Sequence, residues 1–192
     1  MANTRKGRKL VYVSEDVLNE LIQQASKMGV APQALMDHAL KTFIKMVKAG
    51  VDPAELETYV DVARTQRASG MTLVPVDVIR FLEGKADPRQ LESKWQENGA
   101  WYGKYIKGKV ANPVKFLGEL LKATRWDLDE VEVEDQGENV KFKCVSTAIS
   151  TEGTACLRSF IEGAMHSLGY AKESQEEMKG IIILKFKKLQ KS

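Results

Sequence analysis

The chain has 192 residues, 43% of them hydrophobic and 29% charged, with a formal net charge of +3. Those are the proportions of an ordinary soluble protein, long enough to bury a real core as one domain or two. No apolar run approaches the ~20 residues of a membrane span, no signal-peptide core follows the basic N-terminus, and two cysteines without zinc-site spacing exclude a disulfide framework; a cytoplasmic protein with no membrane partner is expected.

Charge is unevenly placed. Residues 1–50 hold eight Lys or Arg against four Asp or Glu, whereas residues 51–192 hold 21 against 22. Arg5, Lys6, Arg8 and Lys9 fall within the first nine positions, a local basic arm suited to phosphate contacts. Arg8 to Val13 then alternates as a short strand, with Val11 and Val13 on one face and Leu10 and Tyr12 on the other. Ser14 is a candidate helix N-cap, and Glu15 and Asp16 suit the positive end of a helix dipole. Val17, Leu18, Leu21, Ile22 and Ala25 form one helical stripe. Gly29 stops that helix, Pro32 opens the next, and Leu35, Ala39, Leu40, Phe43, Ile44 and Val47 make the second stripe. So short a unit cannot bury this much apolar surface alone, and a lone strand needs a pairing partner. Two copies pairing their strands and helices solve both problems, so a homodimer is expected, with dimers pairing into tetramers left open.

This strand, capped helix, Gly-Val turn and second helix, over residues 6–48, resembles the ribbon-helix-helix (Arc/MetJ/CopG-like) family of DNA-binding proteins. The resemblance implies paired strands in the major groove of double-stranded DNA, with Arg8, Leu10 and Tyr12 turned toward base edges. It also implies the amino end of the second helix, Ala31 to Gln33, against a phosphate; the basic arm beside the strand would add Arg5 and Lys6 as phosphate contacts. Leu10, Ala31 and Pro32 depart from the usual polar choices. They favour an alternative in which the unit only dimerises and the protein is an interaction or assembly module.

Past Ala49 the pattern changes to helices and then a small sheet. Gly50, Asp52 and Pro53 mark a break before a third helix to about Ala68, read as a linker helix with Leu56, Tyr59, Val60 and Ala63 on one side. A short helix is expected from Pro75 to Gly84, a long one from Asp87-Pro88 to about Lys107, and another from Asn112-Pro113 through Thr124 with Phe116, Leu117, Leu120 and Leu121 buried. Leu128 to Ser150 reads as a hairpin with an acidic first arm and a basic second, giving complementary cross-strand pairs. Ser150 or Thr151 caps a helix to about Leu168. Ile181 to Leu184 reads as a strand buried on both faces, with a further short strand in Ala171 to Glu177 left open. The fold class expected is therefore α+β: residues 1–50 a ribbon-helix-helix DNA-binding and dimerisation domain, 51–68 a linker helix, and 69–192 helices on a small, mainly antiparallel sheet.

Cys156, Phe160, Gly163 and the closing strand resemble the vinyl-reductase-like family of small-molecule-binding domains, which implies an effector-sensing role for residues 112–188. The cysteine pair associated with that family's closing strand is missing from EMKGIIILKF, so no ligand or metal residue carries over. His38 and His166 have no partner at triad or metal spacing, and Gly103 to Val110 mimics a phosphate loop but ends in Val110 where Ser or Thr is needed. No enzyme and no cofactor are expected. Together these features lead to a DNA-binding transcriptional regulator whose C-terminal domain senses an effector or sets oligomeric state.

Overall fold

The computed structural model describes residues 12–190. The described residues form an α+β protein of seven helices and one four-stranded antiparallel sheet. The chain divides into two compact units, the first ending at Leu56 and the second beginning at Glu57.

The first described element is a helix. Arg8, Leu10 and Val11 of the expected strand lie outside the described residues, as do Arg5 and Lys6, and the strand's last two positions, Tyr12 and Val13, are not in a strand. Helix α1 spans Glu15–Met28 and α2 spans Pro32–Lys48. Gly29 joins them at φ 66°, the left-handed backbone that glycine adopts without a Cβ penalty. There the Gly29 amide donates to the Ser26 carbonyl and the Val30 amide to that of Ala25, at 3.1 and 3.0 Å, so the helix end is satisfied in the Schellman manner. The same Gly-Val turn recurs at Gly50-Val51, where Val51 donates to Met46 at 3.1 Å before α3, Pro53–Ser69. Ser14 occupies the α1 N-cap with extended backbone, but its hydroxyl does not reach a helix amide. It bonds Asp16 instead, holding that carboxyl below its usual range.

The second unit is built around two long helices crossing at very short range. These are α5 (Pro88–Lys107) and α7 (Thr151–Leu168). Asp87 and Ser150 cap them, accepting the Gln90 and Gly153 amides at 2.9 and 2.8 Å. A Cβ on Gly99 would lie 2.0 Å from the Phe160 carbonyl oxygen, one on Gly103 2.3 Å from that of Ala164, and one on Gly163 2.1 Å from that of Gln96. Gly103, first residue of the false phosphate-loop spacing, therefore serves helix packing. Around this seam Tyr102 is fully buried with its ring edge-on to Phe160 at 5.4 Å, and Trp95 meets Phe160 at 6.2 Å.

Helix α6 (Pro113–Thr124) follows, with Asn112 accepting the Lys115 amide at 3.0 Å and the expected Phe116, Leu117, Leu120 and Leu121 all buried. Strands β1 (Glu130–Asp135), β2 (Asn139–Val145), β3 (Tyr170–Met178) and β4 (Ile181–Lys188) are ordered β1-β2-β4-β3. Val131, Val140, Phe142, Cys144, Ile182, Leu184 and Phe186 turn to the buried face of the sheet and share one core with α5, α6 and α7. On the open face, Lys141 pairs with Glu134 at 2.7 Å and Lys143 with Glu130 at 2.9 Å, so the acidic and basic arms of the hairpin do complement each other.

Two expectations are corrected. Strand β4 is buried on one face only: Ile182, Leu184 and Phe186 are covered, while Ile181 and Ile183 are half-buried and Lys185 is exposed. Among the described residues, no helix of the second unit covers them on the open face. Helix α3 turns Val62 and Thr65 inward and leaves Tyr59, Val60 and Ala63 exposed. Its hydroxyls can be buried because they are satisfied: Thr65 donates to the Asp61 carbonyl and Ser69 to that of Gln66, both at 2.8 Å, a local bond open to short hydroxyl side chains. Ser69 also meets the Tyr102 hydroxyl at 2.6 Å. As expected of a unit too short to bury its own stripes, α2 buries none of its described residues and α1 buries Ala25 alone. Helix α4 (Val76–Glu83) likewise leaves Val78, Phe81 and Leu82 exposed.

One ion cluster ties the second unit together. Arg158 on α7 bonds Glu92 on α5, and its Nε lies 2.6 Å from Glu177 on β3 without an aligned hydrogen bond. Glu162 is 3.5 Å from Arg158 and 2.8 Å from Lys172. Burial works against the guanidinium charge, but the bond to Glu92 and the fields of Glu177 and Glu162 outweigh it and hold it charged. Removing one member of a buried pair strands the others, and this side chain is only 16% exposed. Arg158→Met is therefore expected to cost about 2–4 kcal/mol, discounted for the partly exposed glutamates. Urea unfolding measures it, and a loss within error of zero would contradict the assignment.

Candidate nucleic-acid interface

The expected DNA-contacting residues fall into two groups. Arg5, Lys6, Arg8 and Leu10 lie outside the described residues. Tyr12, Ala31 and Gln33 are described, and all three are exposed, Tyr12 at 92%. Tyr12 directly precedes α1, whose first turn carries Glu15 and Asp16, and carboxylates there repel a phosphate.

The amino end of α2 is better suited to an anion. Ala31 holds the N-cap position without a side-chain bond, and Pro32 has no N–H to offer. The Ala34 amide turns back onto the Ala31 carbonyl at 2.9 Å. Among the described residues this leaves the Gln33 backbone amide as the free donor of the first turn, with the exposed Gln33 carboxamide beside it. One amide at the positive end of a helix can meet one phosphate oxygen. Lys41, Lys45 and Lys48 lie further along α2, all exposed.

The apolar stripes define the other half of the site. In α2, Leu40, Phe43, Ile44 and Val47 are 44–51% exposed, and in α1 so are Val17 and Ile22 at 52% and 45%. Ala25 is the single buried residue described in this unit. Contiguous apolar surface of this kind marks an interaction site.

In the second unit, Phe160 and Gly163 are packed against α5, and Cys156 is buried. Surface clefts among the described residues include one of about 430 Å³ between α6 and β1, lined by Lys115, Glu119, Lys122 and Asp135, and one of about 480 Å³ beside Trp101, Asn98 and Ser69. Trp101 is exposed and stacks at 5.0 Å on Tyr105, which like Trp95 packs partly buried against the core, while Tyr102 is fully buried in it. Among the described residues no group of three or more His, Cys, Asp or Glu is placed to hold a metal ion, and no helix is long and apolar enough to cross a membrane. His38 and His166 are both exposed.

Cys144 and Cys156 are buried, and burial pushes each thiol up to about 12, with Glu83 and Glu92 adding to the effect at Cys156. The thiolate is the reactive form. At pH 8 neither native thiol is expected to react with an aromatic disulfide reagent at the rate of a free cysteine, and both should react once the chain unfolds. Fast labelling of the native protein would overturn this reading.

No protein-family model matches the chain. No curated protein sequence matches it either.

Proposed function

We propose that the protein is a DNA-binding transcriptional regulator that acts as a homodimer through its N-terminal unit. The observation that carries this reading is a helical hairpin with two half-exposed apolar stripes and one buried residue, immediately preceded in sequence by four basic residues. A second copy covers the stripes, as the ribbon-helix-helix resemblance implies. Residues 8–13 of the two chains pair as strands in the major groove, with Arg8, Leu10 and Tyr12 toward the bases. Arg5 and Lys6 add phosphate contacts, and the Gln33 amide at the start of α2 holds a further phosphate. The C-terminal unit sets oligomeric state or senses a small-molecule effector.

A second reading, an assembly module that only dimerises, draws on charge. Residues 12–56 hold four Lys against six Asp or Glu, so the hairpin by itself is not a basic surface.

A titration of the intact protein against random duplex and genomic fragments, at two salt concentrations, separates the readings. Fragment-selective binding that weakens steeply with salt supports a regulator. No binding at low salt leaves the assembly module.

A further inference from the structure

The lysines of the second unit are gathered at one end. Lys104 and Lys107 lie in the last turn of α5, Lys109 just past its Gly108 cap, and Lys187 and Lys188 close β4. The fold brings these distant segments together. The Lys107 ammonium donates to the Ser167 carbonyl in the last turn of α7 at 3.3 Å. Leu189 donates to the Gly169 carbonyl at 2.8 Å, directly after α7, and Lys188 pairs across the sheet with Tyr170. All five lysines are exposed.

None of the five forms an ion pair among the described residues, whereas Lys94, Lys141, Lys143 and Lys172 each hold a carboxylate at 2.7–2.9 Å. Carboxylates also lie on β3, at Glu173, and in the neighbouring β1–β2 turn. Asp135 accepts the Gly137 amide there, and the Glu138 carbonyl accepts the Lys188 amide at 2.7 Å. A helix dipole favours cations at the end of α5 and accounts for Lys104 and Lys107. It does not account for Lys109, beyond the helix, or for Lys187 and Lys188, since strands have little net dipole. Five unneutralised ammonium groups from two segments form a positive pole on a region whose overall charge is −1.

We propose that this lysine pole docks the phosphate backbone of duplex DNA, giving the C-terminal unit its own sequence-independent hold on the nucleic acid. The inference rests on the DNA-binding reading above and adds a second contact to it. Mobile lysines without carboxylate partners release condensed counterions when they meet phosphates, so each contact steepens the salt dependence of binding.

The test compares three full-length proteins on one duplex across a range of salt: wild type, Lys107→Gln/Lys109→Gln/Lys188→Gln, and Lys85→Gln/Arg89→Gln/Lys179→Gln. The control removes the same charge at exposed positions away from the pole, and thermal melting verifies that all three fold. The pole variant should lose about 0.9 from the slope of log K against log salt for each lysine that meets a phosphate, and bind about tenfold or more weaker at low salt. The control should keep the wild-type slope. Equal losses in both variants would reduce the effect to net charge and overturn the proposal, as would an unchanged slope in the pole variant. Wild type that binds no DNA would instead refute the DNA-binding reading itself, and this inference with it.

Discussion

Phe43→Asp is expected to convert the protein to a monomer and abolish its DNA binding. Phe43 sits mid-stripe on α2, 44% exposed, between Leu40, Ile44 and Val47. Fully burying a large apolar side chain gains ~1.5–3 kcal/mol, so covering the open half of six such residues per chain yields very roughly 9–18 kcal/mol per dimer. Association itself costs an estimated 4–15 kcal/mol. The surplus is modest, and a carboxylate buried twice at the centre, at several kcal/mol each when unpaired, exceeds it. Thr42→Asp adds the same charge outside the Leu40, Phe43, Ile44 and Val47 patch of α2 and should leave the dimer intact. Sedimentation velocity distinguishes the two, and a Phe43→Asp protein sedimenting like wild type would place the interface elsewhere.

The second large effect is expected at Gly163. Its Cβ would lie 2.1 Å from the Gln96 carbonyl oxygen and 3.0 Å from the Ala100 amide, both backbone atoms of α5 that no rotamer change can move. Helix propensity alone makes Gly→Ala favourable by ~1 kcal/mol. Overpacking costs typically 1–3 kcal/mol and more where backbone must shift; here two helices would separate and open the contacts of Phe160 with Trp95 and Tyr102. The clash wins. Gly163→Ala should lose about 2 kcal/mol net and Gly163→Val about 4 kcal/mol or more, enough to lower Tm by ~10 °C in a unit of this size. Gly108, with negative φ and nothing near its Cβ position, is the control: Gly108→Ala should leave Tm nearly unchanged. If Gly163→Ala melts at or above wild type, the helices are not seated as described.

Helix boundaries were readable because their chemistry is local. Asp87, Asn112 and Ser150 each accept the amide three residues on, and Pro32, Pro88 and Pro113 each open a helix. Gly29 and Gly169 sit at the left-handed ends of α1 and α7. Faces were harder. In α3 the inward side carries Val62 and Thr65 while Tyr59, Val60 and Ala63 face out; Thr65 satisfies its hydroxyl within the helix, and hydropathy does not register that. Strand β3 gave a weak signal because it is a polar edge strand, buried only at Tyr170 and held by its register with β4. Gly163 stood out in sequence only through a family resemblance, although it and the Gly99/Gly103 pair together form the packing seam. The lysine pole was legible only in part: Lys104, Lys107 and Lys109 stand beside the aromatics of α5, but Lys187 and Lys188 are far from them in the chain, and the near-neutral count over residues 51–192 averages the group away.

Pairing on DNA is the centre of this account, and the stoichiometry of the complex tests it most directly. Sedimentation equilibrium of the intact 21.5 kDa chain, alone and bound to a labelled duplex carrying one selected site, reads the number of copies in each state. The account predicts two chains free in solution and two, or a pair of pairs, on the DNA. A single chain seated on the duplex, with no dimer at any concentration that gives binding, would contradict it.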